Sequence, residues 1–392
     1  MAERNLITLE KPSFLHGFEE PSLFLEVIFI GAFKWLLKAK NLILTVSRGR
    51  VEMLIKKSLE IRRLAPISML KKGVAILEEG YEQNMLDCVG LGFHCVDLLM
   101  RISEMPSFKE HRSTHVLNFD IQGGGPVSTG LVAMAELGAK VGYVGKVGDD
   151  YWGDFILKEY KKYGVDTSRI IVEKGRTSPC VAVLVEAATG VRVFMILPSN
   201  LTSLKFAEPE RSYIENSRML FLAGGEREMV QAAKIAKAAG IPVFIDGLAR
   251  GELKGLVDVA ICGEEYAHAM THTHDPLKAV EKLSMDGYSI VGITLGSKGS
   301  IFKTEGKIIR QEAFQVKVVD TTGAGDVFHG AFAYAILQGW DIEKTVEFAS
   351  AVSALKCTKL GGRSRIPTLD ETLKFINEYK NPYFQNSKTL HN

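Results

Sequence analysis

The chain has 392 residues, 46% of them hydrophobic and 24% charged, which is enough apolar chain for one large or two ordinary cored domains and excludes general disorder. Its 48 basic and 46 acidic side chains leave a formal charge of +2, so no basic field recruits nucleic acid and a small-molecule partner is expected. The five cysteines (Cys88, Cys95, Cys180, Cys262 and Cys357) form neither a C-x-x-C pair nor a Cys/His cluster, which argues against a zinc module or a disulfide framework and for a cytoplasmic setting.

Residues 1–84 carry no glycine-punctuated α/β pattern and read as an N-terminal extension, helical or disordered, that stands apart from the chemistry. Their most apolar stretch, 22–37, is interrupted by Glu26 and Lys34 and falls short of the roughly 20 uncharged residues of a transmembrane helix. It lies too far from the start, and lacks the A-x-A-like site, of a secretory signal. Between 34 and 72, basic side chains such as Lys38, Arg48, Lys57 and Arg62 are opposed only by Glu52 and Glu60, the composition of an amphipathic segment that rests on an anionic surface or a partner.

From 85 to 382 the texture becomes that of one domain, with strand-length apolar runs alternating with helical periodicity in the order of parallel βαβ units; 383–392 reads as a tail. Strands are expected at 88–91, 141–144, 219–222, 243–245, 257–261 and 290–294, and helices at 126–137, 152–163, 226–239 and 277–285. Gly138, Gly164 and Gly240 close three of those helices, as C-terminal caps do. The fold class is therefore α/β, an open doubly wound sheet flanked by helices. Two stretches break the alternation, about 94–122 and 177–198, and the second reads as a hairpin turning at Thr189-Gly190. Together they suggest a small β-sheet above the C-terminal edge of the main sheet, placed to act as a lid.

Residues 316–319 read as a short strand, followed by Asp320-Thr321-Thr322-Gly323-Ala324-Gly325-Asp326 and a helix over 327–337. Glycines at a strand-to-helix junction let main-chain N–H groups converge where the helix macrodipole is positive. Gly323, Ala324, Gly325 and Asp326 thus form an anion hole in which a phosphate would sit. Asp326 either caps the helix or takes a proton from an attacking hydroxyl. A base beside an anion site is the toolkit of phosphoryl transfer.

The string DTTGAGDVFHGAFAYAI resembles the C-terminal signature of the ribokinase (PfkB) family of carbohydrate and nucleoside kinases. Gly124-Gly125, the following helix ending in Leu137-Gly138, and GKVGDDYWG from Gly145 to Gly153 resemble its N-terminal signature, so the likeness covers about three quarters of the chain. It implies a ribokinase-like fold with a lid and an ATP-dependent kinase acting on a sugar or polyol, with Asp326 as general base and Mg2+ bridging the phosphates. It also implies that Asp97 holds a substrate hydroxyl, that Gly124, Gly125 and Thr129 line the sugar site, and that Thr294, Gly296, Ser297, Lys298, Gly299 and Ser350 meet the nucleotide. GGRSRIP at 361–367 resembles the closing loop, and Asp320, Thr322 and Gly362 would belong to a site for a monovalent cation such as K+. A homodimer through the lid is a further expectation.

The chain departs from the pattern in three places. Thr129 stands where many members carry Asn, and GEEY at 263–266 replaces N-x-x-E, which leaves Glu264 or Glu265 for the magnesium network. GGGP, VFHGA and ALKCTKLGGRSRIP look most like the sulfofructose kinase branch. Ile196 and Glu226, however, stand where a sulfonate wants polar or cationic groups, so a neutral sugar or polyol is the favoured class. The alternatives are a nucleoside or sulfosugar kinase of the same fold and a degenerate ligand-sensing domain; no G-x-G-x-x-G follows the first strand to suggest a dinucleotide fold. Lys109, His111, Arg112 and His115 read as a charged lid edge, and His268, His272 and His274 as surface histidines. Cys262 and Cys357 read as core thiols, and Asp246 and Arg250 as residues that line or cap the cleft.

Overall fold

The computed structural model describes residues 85–106 and 113–380. The apolar stretch at 22–37, the basic one at 34–72, Lys109, His111 and Arg112 of the lid, and the tail at 383–392 lie outside the described residues.

The main sheet has nine strands: β1 (Cys88–Leu91), β4 (Val141–Gly148), β5 (Asp166–Glu173), β8 (Leu220–Ala223), β9 (Val243–Asp246), β10 (Val259–Gly263), β11 (Ile290–Thr294), β12 (Ser300–Thr304) and β13 (Lys307–Gln311). Their order is β13-β12-β11-β10-β9-β8-β1-β4-β5; the pairs from β5 to β11 are parallel, and β12 and β13 add an antiparallel edge. The chain winds outward from β1 to β5 on one side and from β8 to β13 on the other. The winding reverses between β1 and β8, where an α/β sheet opens its ligand crevice at the C-terminal ends of its strands.

Side chains alternate across this sheet, which is why its strands are apolar throughout rather than amphipathic. Cys88, Phe221 and Phe244 enter one core with Leu131 of α1 (Pro126–Glu136), Phe332 of α7 (Ala324–Leu337) and Phe348 of α8 (Ile342–Lys356). Val89, Leu222 and Ile245 enter the other with Ala233 of α4 (Arg227–Ala238) and Val280 of α6 (Pro276–Ser284). The remaining helices are α2 (Tyr151–Lys162), α3 (Glu208–Glu215), α5 (Glu264–Thr271) and α9 (Leu369–Lys380). Helices α1 and α7 cross in backbone contact: a Cβ on Gly330 would run into the main chain of Gly130.

The smaller sheet is β3-β2-β6-β7, built from β2 (Cys95–Ile102), β3 (Val116–Gly124), β6 (Cys180–Glu186) and β7 (Arg192–Leu197). The two interrupting stretches thus pair with each other, β2 running parallel to β6, and the hairpin turns at Thr189-Gly190 with Gly190 at φ 71°.

The structure corrects one expected element. Residues 316–319 are not a strand: Val318 and Val319 are exposed, and the Val319 N–H donates to the carbonyl of Cys357 at 2.8 Å, so this segment runs along the end of α8 and pairs with no strand. The helix expected at 327 begins at Ala324, after Gly323 in the left-handed region at φ 71°.

Candidate active site

The head of α7 is set by its preceding loop. Gly323 takes the αL conformation and packs on Gly362, where a Cβ would stand 3.0 Å from the Gly362 Cα. Ala324 donates its N–H to the carbonyl of Thr321 at 3.1 Å, which spends one of the four amides expected in the anion hole. The N–H groups of Gly325 and Asp326 have no acceptor among the described residues and stand in the first turn, where the helix dipole favours an anion.

Asp326 is half-buried, and its carboxyl is pushed up to about 6 by burial and by the charges of Asp246 and Asp97, against the opposing pull of His329 and Arg363. That places it near neutrality, where a general base is most effective. One turn along α7, His329 is buried with its Nδ1 2.8 Å from Oδ2 of Asp246, at the C-terminal end of β9. Burial opposes charge on this imidazole, yet Asp246 and Asp326 outweigh it and hold its pKa above the ordinary value.

The residues expected to line the sugar site come from the lid and α1. In β2, Asp97 sits opposite Gln122 and accepts from Cys95 Sγ at 3.2 Å; burial raises its carboxyl, with Cys95 and Arg363 opposing. A side chain on Gly124 would displace the Asp97 carboxylate, and Gly125, at φ 98°, is the N-cap of α1 beneath the main chain of Phe93. Thr129 is buried and its hydroxyl oxygen accepts from Arg363 Nε at 3.2 Å. Arg363 also donates through Nη2 to Ser128 Oγ at 2.6 Å and to the Gly124 carbonyl at 3.3 Å. It is 3% exposed and forms no ion pair among the described residues, so it is a buried cation held by neutral acceptors between Asp97 and Asp326.

Most of the residues expected to meet the nucleotide follow β11. Thr294 pairs in register with Gly263, the residue before α5, and its hydroxyl lies 3.4 Å from the Cys262 carbonyl. Gly296, Ser297 and Lys298 form a short 3-10 turn closed by Leu295 N–H to the Gly299 carbonyl at 2.8 Å. Gly299 adopts φ 93° where a Cβ would strike the Gln311 main chain. Lys298 reaches Glu264 at 3.1 Å, so the turn and the start of α5 meet at an exposed ion pair; Glu265 beside it is exposed. These carboxylates lie at the same strand ends as the turn. Ser350 is buried on α8, and Ser353 of that helix donates to the Ala324 carbonyl at 2.8 Å.

The loop assigned to a monovalent cation is different. The Asp320 carboxylate accepts from the Gly361 and Thr322 N–H groups at 2.7 and 2.8 Å and from the Thr322 hydroxyl at 2.7 Å, which holds it below its ordinary pKa despite burial. The carbonyls of Asp320 and Thr322 both accept from Nζ of Lys356, the last residue of α8, the first at 3.1 Å. Burial holds the pKa of that ammonium below its ordinary value, against the opposing pull of Asp320, Cys357 and Asp326. The main-chain oxygens of Asp320 and Thr322 that a dissociable K+ would need are already engaged by Lys356, so these two residues do not fit that ion.

Reading the sequence missed His329 and Lys356 as parts of the site, and placed Arg363 in the closing loop without giving it a role. Its other readings place simply. The rings of His268 and His274 stack at 3.6 Å, and no cluster of three metal-ligating side chains occurs among the described residues. Cys262 is buried and its thiol pushed up to about 12, and burial likewise raises Cys357, so neither is a nucleophile at neutral pH. His115 is exposed beside the lid. Among the described residues no helix is long and apolar enough to cross a membrane.

The family model described as pfkB family carbohydrate kinase matches residues 93–369. The chain is 30% identical over 271 residues to a ribokinase from Haemophilus influenzae, covering 66% of this chain and 89% of that protein. It is 29% identical over 329 residues to a 5-dehydro-2-deoxygluconokinase from Geobacillus thermodenitrificans, covering 76% of this chain and 95% of the relative. Among solved structures it resembles Arabidopsis thaliana ribokinase complexed with ribose and ATP, with a TM-score of 0.66 and 25% identity over 76% of this chain and 99% of that one.

Proposed function

The chain belongs to the pfkB family of carbohydrate kinases, and we propose that it transfers the γ-phosphoryl group of ATP to a hydroxyl of a neutral sugar or polyol, with Asp326 as the general base. The observation that carries this reading is the pairing, in the first turn of α7, of a carboxylate shifted to about 6 with the unengaged amides of Gly325 and Asp326. In this scheme Asp97 and Thr129, the latter through Arg363, orient the sugar, and the acceptor hydroxyl gives its proton to Asp326. The α7 amides and macrodipole hold the charge that develops on the transferring phosphoryl oxygens. Magnesium, held through the phosphates near Glu264 and Glu265, would neutralise phosphate charge. The four strands of the lid exclude water from the crevice.

The favoured substrate is uncharged because the carboxylates around the base, Asp97, Asp246 and Asp326, outnumber the cations His329 and Arg363 and repel a second anion in the sugar site. Ile196, 67% exposed on β7, offers a sulfonate no hydrogen bond. A screen of ADP release from ATP and magnesium across ketoses, aldoses, polyols, sulfofructose and nucleosides tests the reading. One strong neutral acceptor, lost in Asp326→Asn by about 10²- to 10⁴-fold, is expected. Retention of more than about a hundredth of the activity in that variant would defeat the assignment of the base.

We extend the proposal to a homodimer through the lid. The edge strands β3 and β7 expose Leu117, Phe119, Phe194 and Ile196, each more than half exposed, an apolar surface that a second lid would cover. Light scattering at micromolar concentration is expected to give twice the chain mass; a monomer refutes this extension.

A further inference from the structure

The loop before Asp326 packs against a buried cation from the end of α8. Lys356 is fully buried, and its Nζ donates to the carbonyls of Asp320 and Thr322, the residues that turn the chain into the anion hole. No carboxylate lies in ion-pair contact with it among the described residues, and the Asp320 carboxylate is occupied by the Gly361 and Thr322 donors. Burying an ammonium costs free energy unless its donors are satisfied, and an apolar side chain would fill the same volume without that cost. Such a side chain would leave two carbonyls of the loop without a donor.

An ammonium and a potassium ion suit the same ligands: both are compact monovalent charges that accept a shell of carbonyl oxygens. Two such charges cannot share one pair of carbonyls, since at contact distance their repulsion is unscreened in a buried site. With Thr322 fixed by Lys356 on its carbonyl side and by Asp320 on its amide side, Gly323 enters the αL region and the amides of Gly325 and Asp326 face forward.

We propose that Lys356 is the resident cation of the anion-hole loop, a positioning residue that replaces a dissociable monovalent ion, so that this protein binds nucleotide without K+ and acquires a K+ requirement when the lysine is truncated. The inference rests on the kinase reading only for what the loop does with a phosphate. Its test therefore needs no turnover and no known sugar.

Thermal melting and calorimetric titration with ATP and magnesium would be run on the full chain in potassium, ammonium and tetramethylammonium chloride at matched ionic strength. The wild-type protein is expected to melt at one temperature, and to bind ATP with one affinity within about twofold, in all three salts. Lys356→Ala is expected to lose about tenfold or more in ATP affinity in tetramethylammonium, the scale of a lost charge-assisted hydrogen bond, and to regain most of it in K+ or NH4+. Lys356→Met, which fills the space without charge, is expected to lose affinity without rescue by any of the three; a merely structural lysine would give no such ion specificity. A wild-type melting point or ATP affinity that rises in K+ but not in tetramethylammonium overturns the proposal, as does an Ala variant that K+ and NH4+ fail to restore. If Lys356→Ala does not fold, the wild-type comparison decides alone. Absence of ATP binding in every salt defeats the kinase reading, and the wild-type melting comparison still decides the cation.

Discussion

His329 and Asp246 face each other at 2.8 Å, Nδ1 to Oδ2, one helical turn along α7 from Asp326. The pair acts on the proposed base with opposite signs. Asp246 raises the Asp326 carboxyl and His329 lowers it, and Asp326 must be ionised to accept a proton. The rate kcat/KM is therefore expected to fall as pH drops through about 6 in the wild-type protein. His329→Gln removes the lowering charge and moves this acid limb to higher pH; Asp246→Asn removes the raising charge and moves it lower. A pH–rate profile in which both variants shift the limb the same way contradicts the arrangement.

The same shift sets a stability trade. The Asp326 carboxyl has an ordinary value of 3.8 and is raised to about 6 in the folded protein, so between those values the folded chain holds a proton that the unfolded chain has lost. Stability attached to this group is present at low pH and is lost as pH rises through about 6. Asp326→Asn should accordingly stabilise the protein at neutral pH by on the order of 3 kcal/mol, with the gain vanishing below about pH 4. Urea titrations of both proteins at a series of pH values would read the difference, and a destabilised Asn variant at pH 7 would show that the carboxylate is not strained by burial.

Arg363 ties its loop to the proposed sugar side by bonds to Thr129, Ser128 and the Gly124 carbonyl. Arg363→Gln leaves those acceptors short and removes the one fixed cation between Asp97 and Asp326. The loss in kcat/KM should be about 10- to 100-fold, carried by KM, together with an upward move of the acid limb. An effect on kcat alone, with KM and the pH profile unchanged, would contradict the placement.

Gly330 lies where α7 meets α1, and a methyl group there would press into the main chain of Gly130. Backbone cannot yield as a side-chain tip does, so Gly330→Ala should cost about 1–3 kcal/mol despite the better helix propensity of alanine. Gly325→Ala on the same helix, where a Cβ meets nothing within 4 Å, is the control and should fold with wild-type stability. Equal melting temperatures for the two variants would refute the close approach.

The alternation of buried strands and helices was legible because it is a local pattern: each run in β1, β8, β9 and β11 is apolar on both faces and closed by a turn residue. The segment 316–319 misled because Val318 and Val319 have strand-forming side chains, whereas the fold spends the Val319 N–H on the end of α8. Hairpin β12–β13 went unread because KTEGKI is a charged edge with little apolar signal. Asp326 was legible from its own neighbours in sequence. Arg363 and Lys356 were not, since a buried cation looks in sequence like any surface lysine or arginine. Their partners at Thr129 and Thr322 lie 234 and 34 residues away.

The contact of Gly130 with Gly330 also bears on regiochemistry. Helix α1 begins beside the lid glycines and carries Thr129, whereas α7 carries Asp326, and the two touch through main chain with no rotamer between them to adjust. The span from the groups proposed to grip the sugar to the group proposed to take its proton is thus a fixed gauge length. A longer or differently branched acceptor cannot be admitted by spreading these helices; it must enter in another orientation and present a different hydroxyl to the same carboxylate. The choice of phosphorylated position is then a matter of which oxygen of a given sugar falls at that distance, and changes in the lid alter which sugars are held without moving the mark against which they are measured.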